Sequence, residues 1–263
     1  MPPAAATMIT TSSATRLRES KLLTAPAVIA TSKPAASTII ITSVAARWIL
    51  MVLLAYRRVG EPSPRVVRRE SVTSTQDVAR GLPIGSVVVA EHQTAGRGRF
   101  DRRWESPPGT ALLVSFVLHP NPLLSLVAGV AAAEACGGDV RLKWPNDLLL
   151  TGAKVGGILV EALPAKAICG IGINLTWAPE GAAKLNQDRD RLLDTLSVKL
   201  ERWSSANPEE VLARWRALSD TLGRRVRVEQ PGKTVEGMAE DIGQGGELIV
   251  DGSPVTFGSV THL

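Results

Sequence analysis

The sequence predicts an α+β fold, in which helices flank a mixed β-sheet and a small C-terminal β-barrel follows. Short strand-like runs rich in valine, leucine and isoleucine alternate with helical segments from residue 65 onwards, which is typical of one mixed sheet. One long alanine-rich segment is apolar throughout and ends at two consecutive glycines, as a buried helix does. Beyond residue 223 the chain contains short strand-like runs separated by Gly-Gly, Asp-Gly and Pro-Gly turns, which favours a small barrel.

The sheet and its first helix are predicted from the first part of this region. A short helix is expected over residues 75–80, where Ser74 or Thr75 can cap its N-terminus. The strands of the sheet are expected at residues 66–72, 86–91, 111–118, 147–150, 156–161 and 167–174.

Longer helices and a set of terminal strands complete the predicted fold. The segment 123–136 is stopped by Gly137-Gly138 and is expected to be buried, while 188–206 and 208–218 carry apolar residues at helical spacing. The apolar positions of the first of these two are Leu192, Leu193, Leu196, Leu200 and Trp203. The barrel strands are expected at residues 225–228, 235–241, 247–250 and 255–260.

Residues 1–60 differ from the rest of the chain in composition and charge. They contain seven basic residues and one acid, a net charge of +6, whereas the whole chain carries +5. The rest of the chain therefore has a net charge of −1, which removes the electrostatic argument for nonspecific nucleic-acid binding. We divide the chain into a leader (1–60), a large domain (61–222) and a small barrel (223–263).

The leader has three alternative interpretations. Its segment 38–56 is apolar and close to membrane-spanning length, but Arg47 interrupts it. The leader can reflect a start codon assigned too far upstream, a helix packed on the body or on a partner, or a membrane anchor or targeting segment. The hydrophobic fraction of 44% and the charged fraction of 21% are ordinary for a globular protein, which excludes wholesale disorder and a polytopic membrane protein.

The cysteines carry no recognisable site. Cys136 and Cys169 each lie in an apolar run, without metal-type spacing or a disulfide framework, so both are predicted to be buried thiols. The alternative of a catalytic cysteine with a histidine partner is weakly supported, because the chain contains three histidines.

A glycine–arginine loop is the first segment that indicates chemistry. In EHQTAGRGRFDRRW (91–104), Gly96 and Gly98 alternate with Arg97 and Arg99. Glycine lets the backbone approach a ligand, and arginine supplies donors for a carboxylate or phosphate. The loop is a candidate anion site; a solvated basic turn or an RNA-contacting segment remains open from composition alone.

The motif KWPND (143–147) is the second such segment. Pro145 fixes a turn, and the strands that follow can aim Asp147 and Lys154 into one cavity. A buried amine beside an acid is costly unless function or a tight pair retains it. The alternative is a surface turn with an exposed salt bridge.

These two segments, with Ser74-Thr75-Gln76 upstream and GIGIN (170–174) downstream, resemble the biotin–protein ligase family in order and spacing. The resemblance runs from Val66 to the C-terminus, where the terminal strands are similar to the Src-homology-type barrel of these enzymes. It implies the catalytic fold shared with lipoate ligases and class II aminoacyl-tRNA synthetases. It also implies activation of biotin by ATP to biotinyl-5'-AMP, followed by biotinylation of one carrier lysine.

The resemblance also implies the site residues. Catalysis is expected from Lys154, Asp147 and Arg97. Biotin binding is expected from Ser74, Thr75, Gln76, Gln93, Arg97, Gly98, Arg99, Lys154 and Gly157. ATP binding is expected from Arg99, Trp104, Asn146, Lys154 and Asn174. Mg²⁺ is the expected metal, with Asp147 as its candidate ligand.

Two departures from the family pattern bear on affinity. Gln76 stands where the family usually has asparagine, which lengthens a pocket amide by one methylene. Phe100-Asp101 stands where the loop commonly has a glycine, so a stiffer main chain is expected to alter how the loop orders.

The expected partner is a biotin carboxyl carrier protein, in the family the carrier subunit of acetyl-CoA carboxylase. Residues 1–60 show no helix-turn-helix pattern, so we expect the ligase-only type, without DNA binding or membrane association. A cytoplasmic monomer or homodimer is expected. The alternatives are a lipoate or octanoate ligase and a biotin-responsive regulator.

Overall fold

A computed structural model describes residues 65–263 of the 263-residue chain. The expectations for residues 1–60 lie outside this range. Its main layer is a seven-stranded sheet. The strands are β1 (Val66–Val72), β2 (Val87–Gln93), β5 (Ala111–Leu118), β6 (Val140–Lys143), β7 (Asp147–Leu150), β8 (Ala153–Leu163) and β9 (Lys166–Asn174). They lie in the order β1-β2-β5-β9-β8-β7-β6, in which β1 and β2 are parallel and the other neighbours are antiparallel. The predicted mixed sheet is confirmed.

The helices form at the predicted places, and side chains cap the N-termini of three of the four helices described. They are α1 (Thr75–Arg80), α2 (Leu124–Cys136), α3 (Arg189–Ser204) and α4 (Pro208–Leu218). Side chains of Ser74, Asp188 and Asn207 accept hydrogen bonds from backbone N–H groups in the first turns of α1, α3 and α4 respectively. Helix α2 is buried against the sheet and against α3 and α4, as its apolar composition predicts.

The C-terminal part is a second, smaller antiparallel sheet. It contains β10 (Arg225–Gln230), β11 (Lys233–Ile242), β12 (Leu248–Val250), β13 (Ser253–Val255) and β14 (Ser259–His262), in the order β13-β12-β11-β10-β14. The predicted strand 255–260 is thus wrong, because Gly258, at a φ of 147°, interrupts it. Among the described strands, β13 and β14 lie at opposite edges without pairing, so this part is an open five-stranded sheet rather than a closed barrel.

Short pairings near the loops were missed from sequence. Strand β6, the edge strand, was not predicted, and neither was the two-stranded ribbon of β3 (Gly96–Arg97) and β4 (Arg103–Trp104). The ribbon fixes the base of the glycine–arginine loop, with Gly96 opposite Trp104 and Arg97 opposite Arg103.

The smaller sheet packs directly on the large one, and one continuous apolar core includes residues of both. Trp144 joins them: its backbone N–H donates to the Thr221 hydroxyl at 3.0 Å, and its indole Nε1 donates to the Gly246 carbonyl at 3.0 Å. Gly246 in turn lies against Leu123 and Leu126. The KWPND turn is therefore positioned by both sheets.

The cysteine prediction is confirmed. Cys136 and Cys169 are buried free thiols, and burial raises the pKa of each to about 12. Of the helices within residues 65–263, none has the length and apolar character needed to cross a membrane.

Candidate active site

A cleft forms where the large sheet, the glycine–arginine loop and the edge of the smaller sheet meet. It collects almost all of the predicted site residues, although they come from distant parts of the sequence. Those that line it are Ser74, Thr75, Gln76, Gln93, Arg97, Gly98, Arg99, Trp104, Asn146, Asp147, Lys154 and Gly157.

Asn174 is the predicted residue that the structure does not bring into the cleft. Its side chain is buried at 3% exposure, and its amide donates to the Ala183 carbonyl at 3.0 Å. This bond holds the chain that follows β9. A role for Asn174 at a nucleotide therefore stays a prediction.

One row of register partners crosses the large sheet beneath the cleft. Leu113 of β5 pairs with Gly172 of β9, which pairs with Gly157 of β8, then with Asp147 of β7 and Lys143 of β6. Side chains of directly opposed residues point to the same face of a sheet. The row therefore runs from an apolar residue, over two glycines, to a pair of charged residues.

Hydrogen-bonding groups lie at the apolar end of this row. The side-chain Oε1 of Gln93 accepts bonds from the Thr75 N–H at 2.8 Å and from the Thr75 hydroxyl at 3.1 Å. The Thr75 hydroxyl also contacts that of Ser115, at 2.7 Å. Because Oε1 is occupied, the orientation of the Gln93 amide is fixed, with its Nε2 beside Gly96. This end can recognise a small polar group.

The middle of the row is a glycine floor beneath the indole of Trp104. A Cβ added at Gly172 would lie 2.7 Å from Trp104 Cε2, and one at Gly157 would lie 3.6 Å from Trp104 Cζ3. Trp104 Nε1 is buried without a hydrogen-bond partner among the described residues. A buried unpaired donor costs about 1–3 kcal/mol, so the indole is held over the glycine floor at some cost to the stability of the fold.

Charged side chains occupy the far end. Lys154 Nζ lies 2.6 Å from Asp147 Oδ1. Arg99 Nη1 donates to Asn146 Oδ1 at 3.3 Å and to the Gly258 carbonyl at 3.1 Å, and burial lowers the pKa of Arg99. Asp147 and Lys154 thus share one cavity, as the motif predicts.

Arg97 is held differently from the other loop arginine. Although it lines the cleft, its Nη1 donates to Asp77 Oδ1 of α1 at 2.8 Å, and Arg80 donates to the same oxygen at 2.7 Å. Burial raises the pKa of Asp77, but hydrogen bonds from Arg97 and Thr73 and the charges of both arginines outweigh it, so this pKa is lowered. In this structure the loop is therefore tethered to α1 at one end and to the smaller sheet at the other.

Both departures from the family pattern have structural consequences. Phe100 and Asp101 have φ angles of 54° and 58°, in the left-handed region that favours glycine. The longer Gln76 places its Nε2 2.9 Å from the Leu159 carbonyl and lies over Gly170. Gln76 therefore ties α1 to β8.

Several lining residues were missed from sequence. Lys143 and Arg102 belong to the two motifs, and their positive charge was the signal that could have identified them. Gly258 and Ser259 come from the smaller sheet. No local pattern marks that segment, because it reaches the cleft through packing of the two sheets.

Comparisons with known proteins agree with this geometry. Residues 65–176 match the model of the biotin/lipoate A/B protein ligase family, and residues 221–260 match that of the biotin protein ligase C-terminal domain. A biotin–[acetyl-CoA-carboxylase] ligase of Mycobacterium tuberculosis is 37% identical over 212 residues, which cover 68% of this chain and 79% of that protein. The bifunctional ligase/repressor BirA of Escherichia coli is 34% identical over 201 residues, 65% of this chain and 63% of BirA.

Solved structures give the same result for the fold. The biotin protein ligase of Aquifex aeolicus in complex with biotin and ATP superposes with a TM-score of 0.66 at 27% identity, covering 76% of this chain and 98% of that one. The biotin protein ligase of Leishmania major in complex with biotinyl-5-AMP superposes with a TM-score of 0.57 at 27% identity, covering 77% and 99%.

Proposed function

The chain belongs to the biotin protein ligase family, and from this premise we propose that it attaches biotin to a carrier protein in two ATP-dependent steps. The first step makes biotinyl-5'-AMP and pyrophosphate. The second transfers the biotinyl group to one lysine of a biotin carboxyl carrier protein, with the carrier subunit of acetyl-CoA carboxylase as the expected substrate.

The register row across the sheet is the observation that carries this proposal. Strands lie about 4.8 Å apart, so the row from Leu113 to Lys143 spans roughly 19 Å. Its chemistry changes from polar donors beside an apolar residue, through a flat floor, to concentrated positive charge. Biotin presents a ureido group on an apolar bicycle at one end and a carboxylate at the other, and its adenylate extends that carboxylate into a phosphate. The order of groups along the cleft matches the order of groups along this ligand.

The first step brings two anions together. An oxygen of the biotin carboxylate attacks the α-phosphorus of ATP, and the bond between that phosphorus and the bridging oxygen breaks, so that pyrophosphate leaves with the electron pair. Lys154 lies beside the glycine floor and Arg99 reaches over from the loop. Preorganised cations of this kind stabilise the charge that develops during the attack.

The second step needs a neutral amine and a departing AMP. The carrier lysine, with an ordinary pKa of about 10.4, must lose a proton as its nitrogen attacks the acyl carbon. A carboxylate is a weak base, so we assign Asp147 to orient the incoming ammonium and to accept the proton late. Its contact with Lys154 at 2.6 Å holds it in place for this role.

Mg²⁺ fits the site as part of the nucleotide substrate. Within residues 65–263, no group of three or more histidine, cysteine or acidic side chains is placed to hold a metal. Mg²⁺ commonly uses one or two carboxylates together with substrate phosphates, and Asp147 is the carboxylate that lines the cleft. When bound, the ion would neutralise phosphate charge, while Lys154 and Arg99 orient the reacting groups.

We further assign residues 61–222 as the catalytic domain and residues 223–263 as a C-terminal domain that completes the cleft. Support comes from Gly258 and Ser259, which line the cleft from the smaller sheet. The cytoplasm, where ATP and carboxylase carriers are available, is the proposed compartment.

The direct test is adenylate formation without a carrier. The full chain is incubated with ATP, Mg²⁺ and either biotin or lipoate, and the products are resolved by mass. We expect biotinyl-5'-AMP and an equal amount of pyrophosphate with biotin, and no adenylate with lipoate. A lipoyl adenylate, or no adenylate with either acid, would overturn the proposal. A gel-shift titration with duplex DNA at low salt tests the regulator alternative, for which we expect no binding.

A further inference from the structure

Ser115 is a buried polar residue of the large sheet to which the proposed reaction assigns no role. It lies on β5, two residues after Leu113, so its side chain points to the same face of the sheet as the register row beneath the cleft. Its exposed fraction is 0%. A hydroxyl in such a place is costly unless it is hydrogen-bonded, so its partner indicates why it is there.

Ser115 separates two environments on this face of the sheet. On one side of it along β5, Val117 pairs with Ile168 in a small apolar cluster that includes residues of α1. On the other side, Leu113 pairs with Gly172 in the floor of the cleft. An alanine would satisfy the packing at this boundary, so the hydroxyl of Ser115 points to a polar role.

The number of hydrogens available fixes the direction of each hydrogen bond around Ser115. The Thr75 N–H can only donate, so the atom that accepts from it at 2.8 Å is the side-chain oxygen of Gln93, Oε1. The Thr75 hydroxyl has one hydrogen, which goes to the same oxygen at 3.1 Å. Of the two hydroxyls that meet at 2.7 Å, Ser115 is therefore the donor and Thr75 the acceptor.

This direction determines what Thr75 and Gln93 present to a ligand, since both line the cleft. Because Oε1 of Gln93 already accepts two hydrogen bonds, the group that Gln93 offers is the donor Nε2. The Thr75 hydroxyl oxygen has two lone pairs and Ser115 uses one, so one remains as an acceptor. A donor beside a single acceptor complements a carbonyl group next to an N–H, which is the pattern of a cyclic urea.

We propose that Ser115 is a positioning residue that sets the direction of these hydrogen bonds and thereby the selectivity of the cleft for the ureido group of biotin. This inference rests on the proposed function. Ser115 acts through Thr75: its hydrogen occupies one lone pair of the Thr75 oxygen and holds the Thr75 hydrogen on Gln93. Without Ser115 both lone pairs of that oxygen are free, so the site admits a ligand that presents donors in place of the carbonyl.

The test compares biotin with 2-iminobiotin, in which a guanidine that is protonated at neutral pH replaces the urea. A donor thus stands in the position of the carbonyl oxygen, and the rest of the molecule is the same. The Kd for biotin is measured by calorimetry on the full chain, and that for 2-iminobiotin by competition against biotin. The variants are Ser115→Ala and Ser115→Cys, whose thiol keeps a weak donor at similar size.

Ser86→Ala is the matched control for Ser115→Ala. Ser86 is also a buried serine, with an exposed fraction of 1%, and it lies immediately before β2, the strand that pairs with β5. Its hydroxyl has no hydrogen-bond partner among the residues that the structure describes. The control therefore removes a buried hydroxyl without removing a hydrogen bond.

For Ser115→Ala we expect the Kd for biotin to rise about tenfold, as for the loss of one buried hydrogen bond. The Kd for 2-iminobiotin should not rise, so the preference for biotin should fall by at least about tenfold. Ser115→Cys should lie between the two proteins, and Ser86→Ala should change neither Kd.

An equal loss of affinity for both ligands would show that Ser115 only fastens α1 to the sheet, and this would overturn the proposal. An unchanged Kd for biotin in Ser115→Ala, or failure of 2-iminobiotin to compete in that variant, would overturn it as well. If the unaltered chain binds no biotin, the proposed function fails instead, and that outcome is distinct.

Discussion

The helical layer, formed by α2, α3 and α4, and the cleft differ in how completely their charged side chains are paired. In the helical layer, Glu134 of α2 is 10% exposed and accepts hydrogen bonds from Lys199 at 2.9 Å, Trp203 at 3.2 Å and Arg214 at 2.8 Å. In the cleft, Asp147 is the carboxylate among the described lining residues, and it faces lysines and arginines that outnumber it. The first cluster is complete without a ligand, and the second is not.

The pKa shifts express the same difference. Burial raises the pKa of Glu134, but its three partners outweigh burial and lower it. For Arg99 and Lys143, burial is the largest effect and the pKa of each is lowered. A balanced cluster stabilises the folded chain, whereas unbalanced cations cost stability until an anion binds. The imbalance between positive and negative side chains, rather than the number of charges, therefore marks the site.

The largest expected effect comes from removing the central cation of the cleft. Lys154→Met should lower the rate of adenylate formation about a hundredfold to a thousandfold, because one charged donor at the reacting oxygen is lost. Pyrophosphate release is the measurement. Circular dichroism serves as the control and should be unchanged. Near-normal release would remove Lys154 from the chemistry.

Removing the central acid of the helical layer should have the converse effect. Glu134→Gln should lower the free energy of unfolding by about 2 kcal/mol, less than the roughly 3–5 kcal/mol of a fully buried pair because its partners are partly exposed. Activity per folded molecule should not change. Urea unfolding followed by tryptophan fluorescence measures this, and a variant as stable as the parent would show that the cluster is dispensable.

The Glu134 cluster also has a predictable pH dependence. Because the pKa is lowered in the folded chain from its ordinary value of 4.5, the contribution is complete at neutral pH and is lost as the pH falls below about 4.5. Glu134→Gln should therefore lose less stability than the unaltered chain between pH 5 and pH 3. Parallel acid-unfolding curves for the two proteins would contradict this.

A smaller effect is expected from narrowing the floor of the cleft. In Gly172→Ala the added Cβ would lie 2.7 Å from Trp104 Cε2, so the indole must shift. We expect kcat/KM for biotin to fall about tenfold because the ligand is misplaced, which corresponds to a loss of about 1.4 kcal/mol of transition-state stabilisation. Gly81→Ala is the control, since its Cβ would meet an ordinary contact at 3.8 Å from the Val78 carbonyl. Equal rates for both variants would refute the glycine-floor argument.

The smallest effect concerns the tether between the loop and α1. Asp77→Asn removes the charge that holds Arg97, so the loop should open more often and release adenylate about threefold faster, as expected for a partly exposed pair. Arg97→Gln should behave in the same way. Asp101→Asn, in the same loop but outside the Asp77–Arg97 tether, should retain adenylate normally in a filtration assay. Normal retention by Asp77→Asn would show that the pair does not control the loop.

Much of the fold could be predicted because local signals dominate it. Apolar periodicity, caps and glycine or proline stops predict the bounds of several elements. These are the strands β1, β5 and β7 and the helices α1 and α4. The errors fall where local signals are weak. Strand β6 is four residues long and lies at an edge, and a single glycine, Gly258, divides the predicted last strand.

The site was predictable to the extent that its motifs are contiguous. Lys154, Asp147 and Gln93 lie in the cleft as expected. The partner of Arg97 was not predicted, because Asp77 lies 20 residues away and faces it through the packing of α1. The segment at Ser259 was missed for the same reason, since it lies 157 residues from Arg102. Asn174 is the opposite case. It matches the family motif, but its side chain does not line the cleft and instead holds the chain that follows β9.

We infer that the cleft cations serve a ligand and that the Glu134 cluster serves the fold. The free energy of unfolding in urea, measured for Lys143→Met and Glu134→Gln with and without magnesium pyrophosphate, distinguishes these two roles. We predict that Lys143→Met is as stable as the unaltered chain without the ligand, or more stable by up to about 1 kcal/mol, and loses most of the stabilisation that the ligand gives. Glu134→Gln should be less stable and keep that stabilisation. If Lys143→Met were destabilised like Glu134→Gln and still fully stabilised by pyrophosphate, the claim would be contradicted.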